Sequence, residues 1–213
     1  MIDLVLHGPR GTQPLGHPAA VRVELRNTGS GELWIAGVLD GSENGLRFPR
    51  YRPTVTRSGD SGSGSGSGSD SDGDGAGHAD VDIDGVDGRS GGADATGYGT
   101  VVAAPAPADD PLVGPLRPAD LRALLPGESW DPTSGPGCLP LMTFVRFAPQ
   151  RPGRYRYTLT LDTDAARPED WLGGFGVPAG AEREDLLTLV GRVPRLRVVA
   201  DPVEVDFRRR LDQ

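Results

Sequence analysis

The chain has no lysine, one cysteine and two methionines among its 213 residues, and all 22 of its basic side chains are arginine. Without lysine it cannot hold nucleotide phosphates with a P-loop lysine, form a Schiff base, or use a lysine general base. The lone cysteine, Cys138, forbids an intrachain disulfide and fits a reducing compartment. No apolar run approaches the roughly 18 residues of a membrane helix. The apolar run at Ile2 to Leu6 is too short for a signal peptide. These absences predict a soluble cytoplasmic protein with no membrane partner.

Acid is concentrated in one place. Residues 1–57 carry seven Arg and five acids, and residues 112–213 carry fourteen of each. Residues 58–111 carry one Arg and eleven Asp, and this −10 turns a slightly positive remainder into a net charge of −8. A Gly-Ser repeat from Gly62 to Ser69 runs there into Asp/Gly-rich sequence with almost no large apolar side chain. Such a composition buries too little surface to offset its chain entropy, so 58–111 is expected to be a disordered insertion. Closure entropy grows only logarithmically with loop length, so one domain built from 1–57 and 112–213 can carry it.

Those two parts read as short strands. Ile2, Leu4 and Leu6 alternate with Asp3, Val5 and His7, and Val21, Val23 and Leu25 alternate with Arg22, Glu24 and Arg26. A period of two is the pattern of a half-buried strand. Asn27 to Gly31 supplies a turn. Leu33 to Leu39, apolar on both faces, reads as a central strand with Trp34 in the core. Leu46 to Val55 contains Pro49 and Pro53, and a strand with prolines belongs at a sheet edge. Residues 117–125 are ambiguous, Pro118 favouring a short helix, and Met142 to Phe147 reads as a strand. After a helical turn at Pro168 to Trp171, a helix is expected from Ala181 to Val190, closed by Gly191 and Pro194. The last strand, Arg195 to Phe207, is apolar at Leu196 and Val198 and then at Val203, Val205 and Phe207. A strand cannot change phase without an irregularity, so a bulge or a switch of sheet is expected at Ala200 to Pro202.

The clearest stretch is Pro149 to Asp162. A Pro-Gly turn feeds a strand with Tyr155, Tyr157, Leu159 and Leu161 on one face and Arg156, Thr158, Thr160 and Asp162 on the other. The turn followed by Gly153-Arg154-Tyr155 resembles the start of the sixth strand of immunoglobulin-like domains, where a tyrosine pins the corner between two sheets. The resemblance implies an all-β fold, an immunoglobulin-like antiparallel β-sandwich with a long disordered insertion and one or two short helices. It carries no activity with it.

Three groups of residues invite a functional reading. Asp70, Asp72, Asp74 and Asp80, Asp82, Asp84 match the first half of a calcium loop. Val81 and Gly91 stand where its bidentate Glu belongs, so only weak calcium binding is expected. Arg47, Arg50, Tyr51 and Arg52 set arginines around aromatics, a pattern that can stack bases. The acidic insertion that follows opposes nucleic acid, and edge protection is the plainer reading. Trp171 and Phe175, in a glycine-rich loop outside the strand pattern, are candidate anchors for a protein partner. The alternative is that they cap the fold. No pairing of nucleophile with base and no cofactor motif stands out. The sequence therefore predicts a non-enzymatic protein-interaction module, with a protease-inhibitor-like sandwich or a calcium-responsive module as alternatives.

Overall fold

The computed structural model describes residues 1–58, 98–103, 113–174 and 176–209, with backbone alone for 98–103. Eleven strands come in the order β1 (Ile2–His7), β2 (Gln13–Pro14), β3 (Arg22–Asn27), β4 (Leu33–Ala36), β5 (Arg50–Ser58), β6 (Tyr98–Ala103), β7 (Leu121–Leu124), β8 (Ser129–Trp130), β9 (Gly153–Asp162), β10 (Arg197–Val199) and β11 (Val203–Arg208). Two helices, α1 (Met142–Arg146) and α2 (Gly180–Val190), lie before and after β9. Among the described residues the protein is thus mostly strands, in three sheets. β1, β3 and β8 form one, β4 and β7 a second, and the largest runs β2-β11-β9-β5-β6 with β10 also on β9. All pairings are antiparallel except the short β2–β11 contact.

Alternation decides what each sheet buries. Ile2, Leu4, Leu6, Val23 and Leu25 point inward from β1 and β3, and Tyr155, Tyr157, Leu159 and Leu161 do so from β9. Both sets belong to one continuous apolar core, and β1 lies against β9 and β10. The aromatic part is tightly set. Tyr157 meets Phe144 edge-on at 5.3 Å between ring centres, and Tyr155 meets Phe207 at 5.5 Å.

The phase change at the end of the chain is a bulge within one sheet. Val199 pairs with Thr160 and Val203 with Tyr157, so Ala200, Asp201 and Pro202 oppose only Thr158 and Leu159. Ala200 keeps contact by donating its N–H to the Leu159 carbonyl at 2.9 Å. One extra residue rotates the strand by half its period, so Ala200, Val205 and Phe207 are all buried.

Several expectations fail for tertiary reasons. Met142 to Phe147 is helix α1, not a strand: Glu43, far away in sequence, accepts hydrogen bonds from the N–H groups of Met142 and Thr143, both at 2.7 Å. Those are the donors that a first helical turn leaves unpaired. β5 is not an edge strand, since it lies between β9 and β6. Pro49 precedes it, and Pro53 stands two residues after Tyr51, whose N–H points away from β9 to the Ser42 carbonyl. Pro53 faces that same side, where pairing with β6 begins only at Thr54, so the missing N–H costs the ladder nothing. Trp34 is half-buried beneath the Arg192 guanidinium, with its ring nitrogen on Glu32, instead of filling the core. In 117–125 a short 3-10 turn (Pro118–Asp120) leads straight into β7. Residues 98–103, inside the stretch expected to lack structure, pair with β5.

Two buried tyrosines on one face of β9 make a test with opposite signs. The Tyr155 hydroxyl donates to the Arg151 carbonyl at 2.9 Å, whereas the Tyr157 hydroxyl has no hydrogen-bond partner among the described residues. Tyr155→Phe is expected to lower unfolding free energy by about 1–2 kcal/mol, and Tyr157→Phe to raise it by about 1 kcal/mol, in urea titrations. Equal effects of one sign would refute this account of the corner.

Candidate interaction surface

At Trp171 burial decides between the two expected roles in favour of the cap. Trp171 is 2% exposed and lies in the core, its ring stacked on Phe48 at 6.3 Å. Its loop is also held down. Leu116 donates to the Leu172 carbonyl at 3.0 Å and Gly174 to that of Val113 at 3.2 Å. Gly173 has a φ of +86°, and a Cβ there would fall 2.4 Å from the Gly114 carbonyl oxygen. Only glycine tolerates that approach. Phe175 lies outside the described residues, as do Asp70, Asp72, Asp74, Asp80, Asp82 and Asp84.

The arginine-aromatic string is likewise mostly interior. Arg47 is 2% exposed and donates from Nη1 to the Gly114 carbonyl at 2.8 Å and from Nη2 to that of Trp171 at 3.0 Å. Burial pushes its pKa down, and the charges of Asp120 and Asp40 oppose that shift. Tyr51 is fully buried and donates to the Ala36 carbonyl at 2.8 Å. Arg50 lies over the Phe48 ring at 4.1 Å, which leaves Arg52 as the exposed member. With both rings of the string buried, no base can stack there.

An exposed apolar surface lies elsewhere. A cleft of about 210 Å³ opens between α1 and the turn after β4, lined among others by Leu39, Asp40, Glu43, Leu139, Met142 and Arg146. Exposed Leu139 is one of its lining side chains, and Leu46 and Val145 are exposed as well. Leu46 abuts Gly41 on one wall, where a Cβ would come 3.2 Å from its own. Val145 follows Met142 at the helical spacing of three and so shares its face. The acids are engaged, Glu43 by the start of α1 and Asp40 by the Gly114 N–H at 3.2 Å. Arg146 makes no ion pair or hydrogen bond among the described residues. The sequence hid this face because Met142 to Phe147, read as a strand, splits Met142 and Val145 between opposite sides.

A polar cluster stands on the outer face of β1 and β3. The His7 Nε2 and Glu24 carboxylate meet at 2.8 Å beside Ser129, Trp130 and Asp131. Hydrogen bonds from Ser129 and then His7 hold Glu24 below the usual carboxylate range, against the burial that raises it. The carboxylate therefore sits between imidazole and hydroxyl. A serine nucleophile needs the imidazole in that position. Cys138 is no substitute: burial, then the charges of Asp120 and Asp131, raise its thiol pKa, and the protonated thiol is a poor nucleophile. Among the described residues no three His, Cys, Asp or Glu side chains gather to hold a metal, and no helix is long and apolar enough to cross a membrane.

Two measurements follow from these placements. Trp171→Ala is expected to cost about 3–5 kcal/mol of stability, as a buried ring does, and a cost below about 1 kcal/mol by urea unfolding would sink its assignment to the core. Glu24 has a depressed pKa, so its stabilisation is present above the pKa of the unfolded carboxyl, about 4.3, and is lost as pH falls through the folded value. The stability difference between wild type and Glu24→Gln is expected to be full near pH 5 and to shrink toward pH 3. A constant difference across that window would exclude the linkage.

No protein family, curated protein or solved structure matches this chain.

Proposed function

We propose that the chain is a non-enzymatic protein-interaction module of the cytoplasm, built as an immunoglobulin-like β-sandwich and taking its partner at the cleft beside α1. The observation that carries this reading is a recess lined by Leu39, Leu139 and Met142, with Leu46 packed beside Gly41 at one wall and Arg146, unpaired among the described residues, at the rim. Exposed apolar side chains scattered singly are ordinary, whereas a group of them around a recess marks a contact surface. The partner is a polypeptide that seats one apolar side chain between Leu139 and Leu46 and sets an acid against Arg146. Apolar burial at the centre of such a contact supplies the affinity, and the charge pair at its rim the orientation.

Support for the sandwich comes from the corner and the core. The Tyr155 hydroxyl reaches a carbonyl four residues upstream, as the tyrosine corner of immunoglobulin-like domains does. Both large sheets contribute inward residues to a single core. The absence of catalysis is supported by the order of the His7, Glu24 and Ser129 contacts, which sets a carboxylate and not the imidazole against the hydroxyl.

The test compares partners captured from the source cells by the tagged full chain and by Leu139→Asp, Val145→Asp and Arg146→Glu. Such substitutions at exposed positions change stability by roughly 0.5 kcal/mol or less. One protein is expected to be retained by wild type, lost by both Asp variants and weakened by Arg146→Glu. Identical capture by all four proteins would refute the cleft as the contact surface.

A further inference from the structure

The largest sheet has two outer strands of unlike kind. At one end stands β2, only Gln13 and Pro14. A very short strand carrying proline is a protected edge. At the other end stands β6, and among the described residues no strand pairs with its far side. Its six residues, Tyr98-Gly99-Thr100-Val101-Val102-Ala103, include neither charge nor proline. The alternation of β5 decides which backbone groups of β6 are open. Tyr51 turns its N–H away from β9, and β5 keeps regular register with β9 from Arg50 to Arg57, so Val55 also faces β6. Val55 pairs with Val102, and these two exchange the hydrogen bonds of the ladder. Val101 and Ala103, opposite Thr56 and Thr54, therefore turn their N–H and C=O groups outward. The register irregularity falls between Thr56 and Ser58, beyond this regular part.

We propose that β6 takes one extended, basic segment of another polypeptide as an added strand along this open edge. The outward main-chain groups of Val101 and Ala103 supply the pairing, as in strand addition generally. The sign of the partner's charge follows from the chain around the strand. Residues 58–111 carry eleven Asp and one Arg, and Asp94, Asp109 and Asp110 lie within seven residues of β6 in sequence. A strand bearing arginine or lysine is drawn into such a field, and nucleic acid is repelled by it. A second copy of this chain would set −10 against −10 and is disfavoured for the same reason. The side chains bordering the α1 cleft come from other elements, so this edge stands or falls independently of the contact surface proposed there.

The full chain is titrated with a blocked peptide that alternates arginine and valine and matches β6 in length, and separately with its glutamate counterpart, following backbone amides by NMR. The basic peptide is expected to give saturable shifts at Val101 and Ala103 and to slow hydrogen exchange of both N–H groups. The acidic peptide is expected to bind at least roughly tenfold more weakly, the effect of like charge. Val101→Pro removes one outward N–H and touches no bond to β5. That variant is expected to keep the Val102 N–H protected and to lose the protection that the peptide gives Ala103. No saturable shift with the basic peptide, or binding undiminished in Val101→Pro, would overturn the added strand. Loss of Val102 protection in that variant would overturn the assignment of the open side. Equal binding of the two peptides would overturn the basic partner, and self-association of the chain alone that protects the same N–H groups would replace it by a second copy.

Discussion

Strand β9 imposes its phase on everything beside it. Ten residues long, it pairs with β5 on one side and with both β10 and β11 on the other. Its inward residues are two tyrosines and two leucines, all buried. A neighbour out of step would drive Asp or Glu into that layer, and burying an unpaired charge costs more than a bulge. The extra residue at Ala200 to Pro202 is thus an adaptation to β9, since it brings two runs of opposite phase onto one buried face. The β1-β3-β8 sheet then closes over this layer through β1, and Phe144 of α1 covers Tyr157.

What was legible in the sequence was whatever depended on near neighbours. β1, β3, β9 and α2 each carry their own period or caps, and the bulge shows as a change of phase inside a single run. What was illegible depended on residues distant in the chain. Nothing within Met142 to Phe147 announces a helix, because its capping carboxylate comes from Glu43. Pro53 is harmless only because of the side of β5 it faces. The site suffered in the same way. Trp171 and Arg47 looked like exposed contact residues, yet each is buried, and a main-chain carbonyl of the one holds the guanidinium of the other. A loop sequence does not reveal whether its aromatics point inward.

Arg47 also shows how a charge can be kept inside without a carboxylate in contact. Two carbonyls from separate segments accept its Nη protons, while Asp120 and Asp40 act at longer range. The planar fork spans both carbonyls at once, a geometry that an ammonium group would not reproduce. In a chain whose bases are all arginine, this position uses what is particular to that side chain. Arg146 and Arg195, by contrast, are exposed and make no ion pair or hydrogen bond among the described residues.

The clamp of Arg47 on Gly114 and Trp171 bears on how this gene can change. It fixes the place where the chain rejoins the core at Val113 to Leu116, and the β5–β9 ladder fixes the place where it departs. Both posts stand on contacts made by residues outside the Gly/Ser/Asp-rich stretch. Closure entropy rises by only about 0.6 kcal/mol for each doubling of a loop. On closure entropy alone, codons between β5 and β6 can therefore be duplicated or lost at little cost, and related genes are free to differ there in length while keeping the same framework.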